Sequence, residues 1–152
     1  ALRVILQIEL HPAQPGEAVV QLRVHIVPVF SVVFEKIVFD YSKMENVVFE
    51  KCTFDECSFT NSQMGDCTFN DCRFIKDHIN EVTLHSSKFD KCEIYETNFD
   101  LANITRANIL NVTFEKCDFT DANISNCKLE YVKDSSLQVT ILMKSNTEIV
   151  VI

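Results

Sequence analysis

Glycine is almost missing from this sequence: 2 of 152 residues, Gly16 and Gly65, with 3 Pro and no Trp. Two isolated glycines cannot build a dinucleotide fingerprint or a P-loop, so glycine-loop phosphate sites are excluded. No apolar run approaches the ~18 residues of a membrane-crossing helix, and no signal-peptide pattern is read. Basic charge is scarce too. Lys and Arg number 14 against 22 Asp and Glu, a formal net charge of −8, which argues against a surface that binds nucleic acid directly. The seven Cys form no C-x-x-C pair and fit neither zinc spacing nor a small disulfide framework. A reducing compartment, cytoplasmic by default, is the expectation. The chain opens on Ala1 and reads as strand at both ends, so a fragment or an assembled protein is expected.

What is abundant is phenylalanine, 12 residues, and its spacing is regular. Stepping by five from Phe34 meets Phe39, Met44, Phe49, Phe54, Phe59, Met64 and so on to Leu129. All twenty residues so met are large and apolar, and they include eleven of the 12 Phe. Two residues before each centre runs a second series, mostly small, from Val32 and Ile37 to Cys127, and all seven Cys belong to it. Intervening positions are polar. A period of five fits neither a helix nor a plain strand. The small and large residues two apart face one way, and the next two positions must turn a corner. Four such sides close into a square coil.

This pattern resembles the pentapeptide-repeat family, whose motif is a small residue, a polar residue, Leu or Phe, then two polar residues. The resemblance covers 32–131. It implies an all-β chain, a right-handed quadrilateral β-helix of about five coils, with four pentapeptides per coil. Cys stands where Ala is commonest in the family, and Asp77 occupies an inward position. Residues twenty apart should then stack at the strand spacing of about 4.8 Å. Met44, Met64, Leu84, Ile104 and Ile124 form one such column, and Phe34, Phe54, Phe74, Ile94 and Phe114 another. Outward columns alternate in charge, as in Lys36, Glu56, Lys76, Glu96 and Lys116, or Lys51, Asp71 and Lys91, which favours neighbouring rungs.

The flanks keep a period of two instead. Leu2–Leu10 and Val20–Ile26 read as strands joined by a loop over 11–17, and Leu137–Met143 and Thr147–Ile152 as a second strand pair around 144–147. The expected organisation is an N-terminal capping hairpin over 1–31, the β-helix over 32–131, and a C-terminal strand segment over 132–152. Capping suits these flanks because an open β-helix has exposed edges. The terminal strands also offer a contact for a homo-oligomer.

No enzyme is read from the side chains. His11, His25, His78 and His85 form no metal or catalytic spacing, and no cofactor or metal is implied. The cysteines read as small apolar core residues, although Cys52, Cys72 and Cys92 share a column within disulfide reach by Cα distance. Asp77 is expected to meet a bulge or a backbone hydrogen bond, because a bare buried charge is costly. The sequons at Asn103, Asn111 and Asn123 follow from the repeat's own polar pattern.

Charge divides unevenly over the four sides. Two sides are neutral and one carries −2. The side built from 37–41, 57–61, 77–81, 97–101 and 117–121 carries six acidic residues and no basic ones: Asp40, Asp77, Glu81, Asp100, Asp118 and Asp121. A one-sided acidic strip steers basic partners. Asp40, Glu81, Asp100, Asp118 and Asp121 are therefore the expected partner-binding residues of a non-catalytic protein-interaction or scaffold module. The resemblance adds two alternatives. Some family members are rod-shaped DNA mimics that bind topoisomerases. Others are structural or interaction domains of larger proteins, as in secreted bacterial effectors and synaptic vesicle proteins. A short rod with no C-terminal dimerisation helix and no loop insertions speaks against mimicry.

Overall fold

A left-handed backbone residue recurs at every fifth position, from Ser31 through Lys36, Tyr41 and Asn46 to Tyr131, each with φ between 48° and 58°. These are the corners. None is glycine, although this conformation costs an L-residue about 1–2 kcal/mol. The cost is offset by the stacking of coils: the amide of Lys36 donates to Asp55 O at 2.9 Å, that of Lys51 to Asn70 O at 2.9 Å and that of Glu56 to Ile75 O at 2.9 Å. Every corner from Ser31 to Asn111 is held in this way by a carbonyl of the next coil.

The computed structural model describes residues 7–14, 17–23, 28–134 and 148–150. Between the corners lie short parallel strands, and every pairing in the coil joins residues twenty apart. One side is a six-stranded sheet, Val33–Glu35, Thr53–Asp55, Arg73–Ile75, Glu93–Tyr95, Thr113–Glu115 and Lys133–Asp134. The side preceding it in each coil is a seven-stranded sheet running from Val29–Phe30 through Val48–Glu50 to Lys128–Glu130 and Glu148–Val150. The acidic side is joined by single bridges, Val38↔Ser58↔His78↔Asn98↔Asp118. The fourth side starts with bridges and ends in the paired strands Asn103–Thr105 and Asn123–Ser125. The result is a four-sided β-helix of about five coils.

The core follows the expected register. Every centre from Phe39 to Leu129 is buried, as is every small-series residue from Ser42 to Cys127. Phe rings stack up the columns: Phe34 on Phe54 at 5.0 Å, Phe54 on Phe74 at 4.9 Å, Phe49 on Phe69 at 5.2 Å, Phe69 on Phe89 at 4.8 Å. Edge-to-face contacts tie neighbouring columns, as between Phe49 and Phe54 at 5.3 Å. The stacks end where Ile94 and Ile109 take their places. There the core leaves an apolar cavity of about 10 Å³, lined by Phe89, Ile94, Phe99, Ile104, Ile109, Phe114 and Phe119.

The coil reaches beyond 32–131 at both ends. Val29, five residues before Phe34, is fully buried, and its strand pairs with Phe49–Glu50. Glu148–Val150 pairs in parallel with Lys128–Glu130, twenty residues back, so its partner is the coil below it rather than a hairpin strand. The N-terminal strands form as a pair, Gln7–Gln14 antiparallel to Glu17–Arg23, with Ile8 opposite Leu22 and Leu10 opposite Val20. The first strand runs on through His11 and Pro12 with a bulge, so the connection is shorter than the expected loop over 11–17. The expected strand Leu137–Met143, His25 and the ends of both terminal strands lie outside the described residues. Among those described, no helix is long and apolar enough to cross a membrane.

Candidate functional site

The acidic side owes its shape to tight turns. Amide-to-carbonyl bonds close residues 39–42, 59–62, 99–102 and 119–122, Ser42 N to Phe39 O at 3.1 Å and Ala102 N to Phe99 O at 3.0 Å among them. Their third residues, Tyr41, Asn61, Leu101 and Asp121, are left-handed, as a type II turn requires. The turns push the second and third positions outward, where Asp40, Asp100, Glu81 and Asp121 fall.

The six carboxylates on this side differ in kind. Asp40 is tied down, accepting from Ser58 Oγ at 2.5 Å and from Thr60 N at 2.9 Å. Asp118 is tied down within its own turn, accepting from Thr120 Oγ1 at 2.6 Å and Thr120 N at 2.9 Å. The Thr120 hydroxyl, then its amide, hold the Asp118 carboxyl below the usual range. The carboxylates of Glu81, Asp100 and Asp121 take no hydrogen bond or ion pair among the described residues. Glu81 and Asp121 are exposed and Asp100 is half-buried.

Asp77 points inward and is 1% exposed. No bulge accommodates it. Its Oδ1 accepts from Cys57 N at 2.7 Å and its Oδ2 from Ile75 N at 3.0 Å, the expected backbone solution. Burial outweighs these two donors and raises its pKa to about 7. Both oxygens are thus committed to backbone, and neither of these bonds orients the exposed His78. His85 Nδ1 lies 3.1 Å from Thr105 Oγ1.

The same side also carries apolar groups that the charge pattern obscured. Ile37 is 41% exposed, Val38 64% and Tyr41 58%, all on the first coil at its N-terminal end. Val33, 69% exposed, lies past the neighbouring corner at Lys36, and Phe30, 54% exposed, lies past the next one at Ser31. A sequence signal was present for Val33 and Val38, which sit at outward positions where every later coil carries a polar residue, whereas Ile37 belongs to the inward small series and is nonetheless exposed at this end.

Elsewhere charges of both signs interleave, and several of them pair. A groove of about 470 Å³ follows the corner from Lys51 to Lys91, but its charges interleave: Lys88 pairs with Asp90 at 3.5 Å and Asn70 Nδ2 donates to Glu50 at 3.1 Å. The expected alternating column forms Lys36–Glu56 at 4.0 Å and Lys116–Glu96 at 3.5 Å. Lys51 lies over the Phe30 ring at 5.7 Å. Among the described residues no group of His, Cys, Asp or Glu could hold a metal ion.

The cysteines do more than fill space. All seven are free and buried, and each thiol donates to the carbonyl of the residue twenty-three positions back. Cys67 reaches Met44 O at 2.8 Å, Cys127 reaches Ile104 O at 3.1 Å, Cys52 reaches Val29 O at 3.2 Å and Cys72 reaches Phe49 O at 3.4 Å. Ser87 does the same to Met64 O at 2.8 Å. These carbonyls point into the core, where an unmet acceptor is costly. Burial pushes the Cys67 thiol up to about 12. Contact with the Cys72 thiol, then burial, raises Cys52 further. Thiols raised in this way stay protonated, which suits structural rather than reactive cysteine.

A family model described as a pentapeptide repeat region matches residues 62–146, and a second, pentapeptide repeats in nine copies, matches 39–78. The chain belongs to the pentapeptide-repeat family. Among solved structures, this pentapeptide-repeat chain is similar to a pentapeptide repeat protein of the Arabidopsis thaliana thylakoid lumen. The identity is 15% and the TM-score 0.53, over 73% of this chain and 74% of that one. That likeness is one of fold. Looser matches are QnrB1, a plasmid-mediated fluoroquinolone resistance protein (13% identity, TM-score 0.30, over 79% and 92% of the two chains), and HetL. HetL, from the cyanobacterium Nostoc, is involved in heterocyst differentiation regulation (8%, 0.33, over 88% and 84%). No functional conclusion follows from either. No curated protein sequence matches the chain.

Proposed function

We propose that this pentapeptide-repeat rod is a non-catalytic protein-interaction module whose acidic side receives a basic protein partner. The observation that carries this reading is the set of three outward carboxylates, Glu81, Asp100 and Asp121, that take no hydrogen bond or counter-ion among the described residues. Asp40 and Asp118 border the strip and shape its turns. A rigid wall with uncompensated charge of one sign steers a partner of the opposite sign and contributes to specificity.

The test is charge reversal. Asp100→Lys with Asp121→Lys should weaken capture of basic partners at least tenfold at low salt and leave Tm unchanged, since neither carboxylate supports the fold. Unchanged capture removes this side from the reading. DNA mimicry, the other use of an acidic rod, predicts inhibition or quinolone protection in a gyrase supercoiling assay with added protein. A flat response there leaves the protein-interaction reading alone.

A further inference from the structure

The acidic side has two ends of different chemistry. At the N-terminal end Ile37, Val38 and Tyr41 expose apolar surface on the first coil. From the third coil onward the same wall carries Glu81, Asp100 and Asp121 without a cation on it, with Leu101, 52% exposed, as the one large apolar side chain exposed there. Four rungs separate Tyr41 from Asp121 in one corner column, about 19 Å at the strand spacing. Among the described strands, Val29–Phe30 and Val33–Glu35 of the first coil are terminal in their sheets. Exposed apolar clusters of this kind on a folded wall mark contact sites. Five of the seven large apolar side chains exposed among the described residues fall within residues 30–41.

We infer that this wall docks a partner polypeptide segment that is itself two-ended: an apolar anchor seated on Ile37, Val38 and Tyr41, followed by basic side chains along Glu81, Asp100 and Asp121. The inference rests on the protein-interaction reading above and narrows it. Charge complementarity sets the direction of the segment, and the apolar end supplies desolvated contact area, which carries more affinity than exposed ion pairs do. A duplex-like or purely polybasic partner would leave Val38 and Tyr41 against polar groups. The wall therefore fits an amphipathic protein segment better than it imitates nucleic acid.

The experiment is selection of random 15-residue peptides displayed on phage against the immobilised intact chain. Enriched peptides should combine Leu, Phe or another large apolar residue with Lys or Arg displaced to one side. Binding of such a peptide, measured by fluorescence anisotropy, should fall at least tenfold for Val38→Asp and for Tyr41→Ala. It should fall separately for Asp100→Lys with Asp121→Lys, and only the latter loss should be mimicked by raising salt. Enriched peptides that bind Val38→Asp and Tyr41→Ala as tightly as the native chain overturn the anchor and leave the acidic reading standing. Peptides insensitive to charge reversal but lost with Val38→Asp overturn the acidic reading instead. No enrichment, or self-association by light scattering that Val38→Asp abolishes, overturns the inference and assigns the patch to a second copy of this chain.

Discussion

At the scale of single residues, the cysteines of the small series, with Ser87, behave as hydrogen-bond donors to carbonyls twenty-three residues back. A thiol has the volume for that slot and a proton for the inward carbonyl. Cys67→Ala should cost about 1–3 kcal/mol, the range for stranding a buried acceptor, here Met44 O. Cys67→Ser should cost clearly less, because Ser87 already makes the same bond in the next coil of that column. Equal losses in urea melts would reduce the thiol to filler. Asp77 is the acid counterpart. Its pKa in the fold is raised from 3.8 to about 7, so the protonated form is the one the fold favours. The associated stability is complete below about pH 4 and is lost as pH rises through 7. Tm should therefore climb between pH 8 and pH 5, and Asp77→Asn should flatten that climb; a slope kept by the variant would place its source elsewhere. The inward location of Asp77 was legible from spacing alone. The thiol bonds were not, because sequence reports the volume of a side chain and not the carbonyl it meets.

At the scale of the element, the unit is the column rather than the strand. Strands here are two or three residues long in the coil, too short to persist alone, and the stacked Phe rings join one coil to the next. Phe69, fully buried between Phe49 and Phe89, should cost about 3–5 kcal/mol on truncation to Ala. Phe34→Ala should cost less, since Phe34 is only partly buried and has a stacked ring on one side alone. Equal losses in denaturant melts would mean that the columns do not couple coils. These columns could be read from the five-residue period wherever it ran unbroken. It failed at the margins for identifiable reasons. Val29 follows an alternating strand whose period of two masks the first turn of the coil. Ile149 is cut off by Asp134 and Lys144 at centre positions, so only the interval of twenty from Leu129 ties it to the coil.

At the scale of the whole molecule, the rod separates support from contact. Backbone bonds between coils, Phe stacks and thiol donors all lie inward or along the stacking direction, so the outward side chains are nearly free of structural duty. The net charge of −8 could be assigned to sides from sequence, and the excess on one side was plain. Its division into tied carboxylates, free carboxylates and one buried acid needed coordinates, because Asp40 and Asp118 are distinguished from Asp100 and Asp121 only by the Ser58, Thr60 and Thr120 groups around them. The apolar end of the wall lacked a sequence signal of comparable strength: Val38 is a single departure in a column that is otherwise polar, and the Tyr41 column carries a second apolar residue at Leu101.

The left-handed corner at every fifth residue makes the molecule count. Losing one amino acid anywhere between Ser31 and Tyr131 would rotate every later Phe out of the interior, whatever its identity. Losing twenty would merely shorten the rod by a storey. For the gene behind such a chain, deletions of sixty bases keep phase with the coil, whereas a three-base deletion, harmless to the reading frame, is a frameshift in the fold.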